Sequence, residues 1–202
     1  MTKTTTIDLM RHGEVEGGHR FRGSTDDPVS KLGWQQMQQA LEAGNDWTQI
    51  ISSPLQRCAK FAKFWSDKKQ LHYSTDKNFQ EMHFGDWEGK TAEEISEQDP
   101  DALINFWQDP DQFAPDNSEP LSDFKNRILN AWQDLIEKQT GQHVLLITHG
   151  GAIRIIIAHI LEIPEHALLR LDIPLAGISR IKIYHTQGEA DHCSLIFHAG
   201  TL

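Results

Sequence analysis

Hydrophobic positions along the chain repeat with two different periods, and the switches between them mark the elements. Residues 5–10 (TTIDLM) read as a short strand that stops at Arg11-His12-Gly13. Gly13, Gly17, Gly18 and Gly23 then punctuate a loop reaching Pro28. Ser30 is placed to cap a helix that runs to about residue 43 and ends at Gly44. Ile50-Ile51 closes a second strand, and Pro54 stands in the first turn of a helix reaching about residue 68. Residues 72–75 form a third short strand. An amphipathic helix over 121–139 puts Phe124, Ile128, Leu129, Trp132, Leu135 and Ile136 on one side. The continuous apolar run HVLLIT (143–148) suits a buried parallel strand, which leads through His149-Gly150-Gly151 into a helix to about residue 161. Residues 178–184 alternate as a strand, and 194–198 supply the last.

Strands alternating with helices predict an α/β fold: a three-layer sandwich with a mostly parallel central sheet flanked by helices. With no repeat or low-complexity tract, the whole chain, 1–202, reads as one domain. One segment stands apart. Residues 92–120 hold nine acids, no Lys or Arg, and four of the eight prolines, a pattern of short helical pieces joined by turns that predicts an acidic cap or lid.

Charge sharpens this picture. The 29 acids and 19 Lys plus Arg give a net charge of −10, which argues against nucleic-acid partners and anionic membrane surfaces. Outside 92–120, however, 20 acids face 19 bases, so the excess belongs to that segment. The expectation is that it borders the pocket and discourages large polyanions. Cys58 and Cys193 form no CxxC pair, and the eleven histidines show no metal-ligand spacing, so neither metal nor cofactor is expected. The apolar run 144–163 is interrupted by His149, Arg154, His159 and Glu162, and the N-terminus lacks a signal-peptide core, so the expected location is the cytoplasm. The tryptophans read as core residues, except Trp107, which lies in the acidic segment and is a candidate to face substrate.

The chemistry lies at element ends. In open α/β sheets ligands bind beyond the carboxyl ends of the strands, and two predicted strands end in His-Gly. Arg11-His12-Gly13-Glu14 offers an Arg fork for phosphoryl oxygens, a nucleophilic imidazole, and a glycine permitting close backbone approach. Arg57, in Ser52-Ser53-Pro54-Leu55-Gln56-Arg57, stands in a first helical turn, where the helix dipole mildly disfavours a cation. Glu81 lies in a stretch mixing carboxylates, aromatics and glycines, and His149-Gly150-Gly151 places a second histidine beside a helix N-terminus, a natural anion site. Taken singly, each motif reads as readily as a strand end, a solvated arginine or a core histidine.

Together, in this order and spacing, they resemble the histidine phosphatase superfamily, typified by cofactor-dependent phosphoglycerate mutase, over the chain from Leu9 to at least Leu161. The resemblance implies that His12 is the nucleophile that becomes phosphohistidine. It implies that Arg11, Arg57 and His149 cradle the phosphoryl group, and that Glu81 is the general acid and then the base for water. Gly150, Arg22, Gly23 and Ser24 complete the expected phosphate and substrate contacts. The implied partner is a small phosphomonoester, for a monomer or homodimer. The stretch 79–89 (FQEMHFGDWEG), with Gly23-Ser24-Thr25-Asp26, looks most like the bacterial α-ribazole phosphatases. Two alternatives are a phosphoglycerate mutase, disfavoured by the short chain after Glu81, and a non-catalytic binder of phosphorylated ligands. The chain departs from the family pattern at Gly18, where many relatives carry a phosphate-holding Asn, and at Ser118-Glu119-Pro120, which replaces a Gly-Glu-Ser turn. Arg20 or Arg22 is available to hold phosphate in place of that Asn.

Overall fold

The computed structural model describes residues 3–44, 46–188 and 190–200. Six strands form one sheet: β1 (Lys3–Arg11), β2 (Gln49–Ser52), β3 (His72–Thr75), β4 (His143–Thr148), β5 (Ile178–His185) and β6 (His192–Gly200). Their order is β3-β2-β4-β1-β5-β6; the first four run parallel, and β5 and β6 are added antiparallel. The mostly parallel sandwich expected from the sequence is therefore present.

Strand alternation explains the layers. On β4, Val144 and Leu146 face one side with Ile7 and Leu9 of β1, and pack on α5 (Leu121–Lys138) and α6 (Gly150–Ile160). Leu145 and Ile147 face the other side with Met10, and pack on α1 (Lys31–Leu41) and α2 (Gln56–Lys69). β4 is covered on both faces, which is why its sequence is a continuous apolar run. Ser30 caps α1 by accepting from Gly33 N–H at 3.0 Å. Pro54 lies ahead of α2, not inside its first turn: Leu55 is extended, and the helix opens at Gln56.

The acidic segment forms two short helices, α3 (Ala92–Gln98) and α4 (Ala102–Gln108). Ile95, Leu103 and Phe106 bury themselves against Trp87 as a small separate core beneath this cap. Asp8 is a buried carboxylate inside the main body. Burial pushes its pKa up, but bonds from Arg180 (2.7 and 2.9 Å), His143 (3.0 Å) and Trp47 (2.8 Å) outweigh this and hold it below the ordinary carboxylate range. Among the described residues no helix is long and apolar enough to cross a membrane.

Candidate active site

Register brings the two His-Gly motifs side by side. Arg11 on β1 pairs with Thr148 on β4, so His12 and His149 leave adjacent strand ends, and His12 N–H donates to Thr148 O at 3.0 Å. Their rings meet edge to face with centroids 5.3 Å apart. β2 ends beside them, where Ser53 N–H donates to Ile147 O, and Arg57 follows as the second residue of α2.

Hydrogen-bond partners assign the tautomers. His12 Nδ1 lies 2.8 Å from Gly13 O, a group that can only accept. Nδ1 therefore carries the proton, and the Nε2 lone pair is free. Arg57 Nε can only donate, so His149 Nδ1, 3.2 Å away, accepts; His149 Nε2 then donates to Ser53 Oγ at 2.8 Å. Burial and the charges of Arg57, Arg11 and Arg22 push the His12 pKa down to about 3. The His149 pKa is also lowered, by burial first and then by Arg57 and His12. A lowered histidine pKa keeps the ring neutral throughout the range above it. Heteronuclear imidazole spectra should accordingly show His12 as the neutral Nδ1–H form from pH 8 to about 5, with no midpoint near the ordinary histidine value of about 6.5.

Arg57 is fully buried and, among the described residues, pairs with no carboxylate. Its Nη1 donates to Thr25 O (2.7 Å), and its Nη2 to Gly23 O (2.8 Å) and Arg22 O (3.1 Å). This ring of carbonyls is shaped by Glu88. One carboxylate receives the N–H groups of Gly23, Ser24, Thr25 and Phe84 at 2.9–3.0 Å, together with the Thr25 hydroxyl. Burial raises the Glu88 pKa, but these bonds prevail and lower it.

Arg11 lies over the start of α6, where a Cβ on Gly150 would stand 3.3 Å from its Nε. That Nε is buried without a hydrogen-bond partner among the described residues, while Nη1 donates to Ile173 O at 2.5 Å. Glu81 docks on the next residue: Oε2 accepts from Gly151 N–H at 2.9 Å and Oε1 from Met82 N–H at 3.1 Å. A Cβ on Gly151 would fall 2.2 Å from Oε1, so the second glycine of His149-Gly150-Gly151 is needed for this contact. Arg127, clamped by Glu119 at 2.7 and 2.9 Å, donates to the carbonyls of Asn78, Gln80 and Glu81 and so braces the Glu81 segment.

A cavity of about 400 Å³ opens at this end of the sheet. Arg11, His12, Glu81, Arg22 and Gly150 line it, together with Arg20 and Gly18. Arg57 and His149 do not reach the lining; they stand behind His12. Four further features lie differently from what the sequence suggests. Gly23 and Ser24 do not line the cavity, because their N–H groups turn onto Glu88. The anion seated at the α6 N-terminus is the Glu81 carboxylate. The close approach made by Gly13 is to helix α1, where a Cβ would stand 2.2 Å from Gly33 O. The nine acids of the cap line no part of the cavity, whereas Phe106 and Trp107 do.

Arg20 is bonded to Gly17 O, Gly89 O and Glu94. Arg22 is paired with Asp27 at 2.7 Å and is the one of the two whose charge reaches His12. Three residues shape the site without having been assigned a role from their motifs: Glu88, Arg127 and Arg154. Arg154 lines the cavity three residues after Gly151, and its charge acts on Glu81 and Asp172. Its one signal in the sequence is a lone arginine inside an apolar helix. Among the described residues no group of three or more His, Cys, Asp and Glu side chains is arranged to hold a metal ion.

The family described as histidine phosphatase superfamily (branch 1) matches residues 7–195. The chain is 32% identical over 167 residues to a glucosyl-3-phosphoglycerate phosphatase of Mycolicibacterium vanbaalenii, covering 77% of this chain and 74% of that one. It is 28% identical over 167 residues to the adenosylcobalamin/alpha-ribazole phosphatase of Escherichia coli, covering 79% and 81%. The solved structure of Bacillus stearothermophilus YhfR superposes with a TM-score of 0.83 at 30% identity, covering 95% of this chain and 96% of that one.

Proposed function

The chain belongs to the histidine phosphatase superfamily, and from that membership we propose a metal-independent phosphomonoesterase that works through a phosphohistidine on His12. One observation carries the reading. At the wall of a cavity, His12 has its Nδ1 proton tied to Gly13 O and its Nε2 lone pair free, and burial and three arginines keep it neutral.

The chemistry follows from the geometry. The substrate phosphoryl group settles at the arginine end, where Arg11 has an unpartnered Nε and Arg22 and Arg154 add charge. Nε2 of His12 attacks phosphorus as the bond to the leaving oxygen breaks and its electron pair departs with that oxygen. Glu81, neutral in this step, gives its proton to the leaving oxygen. In the second step Glu81 takes a proton from water as the water oxygen attacks phosphorus. The P–N bond then returns its pair to Nε2 and phosphate leaves. Arg57 and His149 contribute from behind: Arg57 supplies fixed charge, and His149 links it to Ser53. Charge spread over the equatorial oxygens of the transferring group is what such fixed cations stabilise.

The substrate is α-ribazole 5′-phosphate or another small phosphorylated metabolite. In support of the first stand the resemblance over 79–89 and the Escherichia coli relative. Glu88 clamps that stretch onto residues 23–25, and Glu81, Met82 and Phe84 of the same stretch line the cavity, so discrimination among substrates falls to the cavity walls.

The test is acid-free quenching during turnover of a phosphomonoester in excess EDTA, followed by intact-mass and peptide analysis. A single acid-labile phosphoryl group on His12 is expected. No phosphoenzyme, or phosphoryl passing to 3-phosphoglycerate in preference to water, would overturn the proposal.

A further inference from the structure

Away from the arginines, the cavity changes character. Phe84, Phe21, Trp87 and Phe106 form a chain of edge-to-face ring contacts with centroids 5.3, 5.1 and 5.3 Å apart. Three of these rings, Phe21, Phe84 and Phe106, line the cavity. The next residue on α4, Trp107, also lines it and is 55% exposed, a large apolar surface left open at the mouth. From the body of the protein, Leu121, Phe124, Ile155 and Leu168 extend the same wall.

What is missing from the lining is equally informative. Among the described residues, the hydroxyl-reading side chains at the cavity belong to its arginine side: besides His12, Glu81 and the arginines there are Glu14, which accepts from the Ser30 hydroxyl, and His19, which adjoins Arg20. The aromatic wall itself carries no Asn, Gln, Ser, Thr, Asp, Lys or Tyr side chain to pair the hydroxyls of a sugar or of glycerate. The cap acids are spent elsewhere: Glu94 closes a capping box on Thr91 and pairs with Arg20, Asp109 accepts from the Asp111 and Gln112 N–H groups, and Glu119 holds Arg127. The cap thus keeps its carboxylates off the cavity and presents Phe106 and Trp107 to it. A polyhydroxylated body placed here would leave hydroxyls unpaired against rings, at a cost in affinity. A flat apolar body would instead bury ring surface on both partners.

We infer that the phosphomonoester taken by this site carries an aromatic or similarly apolar body, and that Trp107 is a specificity-determining residue for it. This deepens the phosphatase reading and rests on it for the placement of the phosphate. The arginine end holds the phosphoryl group, and the wall of the cap and α5–α6 receives the rest of the molecule.

The experiment separates binding from turnover. Calorimetry compares 2-phenylethylphosphonate with 3-hydroxypropylphosphonate on the wild-type protein and on Trp107→Ala, with thermal melting to confirm that the cap remains folded. In parallel, hydrolysis of 2-phenylethyl phosphate and glycerol 1-phosphate is followed, two alkyl esters whose leaving groups differ little in acidity. The aromatic ligand is expected to bind about a hundredfold tighter, and Trp107→Ala to narrow that ratio about tenfold. Equal affinities for the two phosphonates would overturn the apolar substrate class, and a ratio untouched by Trp107→Ala would overturn the role of that residue. Tight aromatic binding without hydrolysis of either ester would uphold the inference while sinking the phosphatase reading.

Discussion

His12→Ala is expected to abolish phosphate release from any phosphomonoester, with kcat/KM falling by about five to six orders of magnitude, the scale seen when a covalent catalyst loses its nucleophile. The effect is this large because nothing nearby can take over. His149 has both ring nitrogens committed, one to Arg57 and one to Ser53. Cys58 has its sulfur near the His149 ring, but burial pushes its thiol up, far from a reactive thiolate. What remains after the substitution is a cluster of cations that still binds phosphate, so the variant should retain affinity for inorganic phosphate by calorimetry while losing turnover. Activity within tenfold of the wild type would remove His12 from the mechanism. Loss of both folding and phosphate affinity would be met by His12→Asn, which keeps a polar group near Gly13 O without a nucleophilic nitrogen.

The parts of this site that were legible in the sequence sit at the ends of elements. Arg11-His12 ends a segment that reads as a short strand and His149-Gly150 follows an apolar run suited to a buried parallel strand, and a parallel sheet puts the ends of such strands together. The strands at 72–75 and 143–148 have the limits that turn residues and apolar runs predicted. What stayed hidden depends on partners distant in sequence. Glu88 looks like one more carboxylate in a loop until the fold brings residues 23–25 against it. Arg154 reads as an interruption of an apolar helix until Glu81 is seen one turn away at Gly151. The acidity of residues 92–120 suggested an electrostatic screen at the pocket. Composition counts charges without saying which way they face, and α4 faces inward with Phe106 and Trp107.

Glu81 carries the second large effect. Its carboxylate accepts from Gly151 N–H at the start of α6 and from Met82 N–H, and it lines the same cavity as His12, where a leaving oxygen can receive its proton. Glu81→Gln should reduce kcat/KM by about 10²–10⁴ for an alkyl phosphate, whose alkoxide cannot leave unprotonated. For p-nitrophenyl phosphate, whose phenolate leaves unaided, kcat/KM should fall by about tenfold or less. The ratio kcat/KM is the right quantity because it covers only steps up to formation of the phosphoenzyme. The base role acts later, so with p-nitrophenyl phosphate it should appear as a lower kcat and as accumulation of phosphorylated His12 after an initial burst. Equal losses in kcat/KM for both esters would show that Glu81 only organises the start of α6, and the proton for the leaving group would have to arrive with the substrate itself.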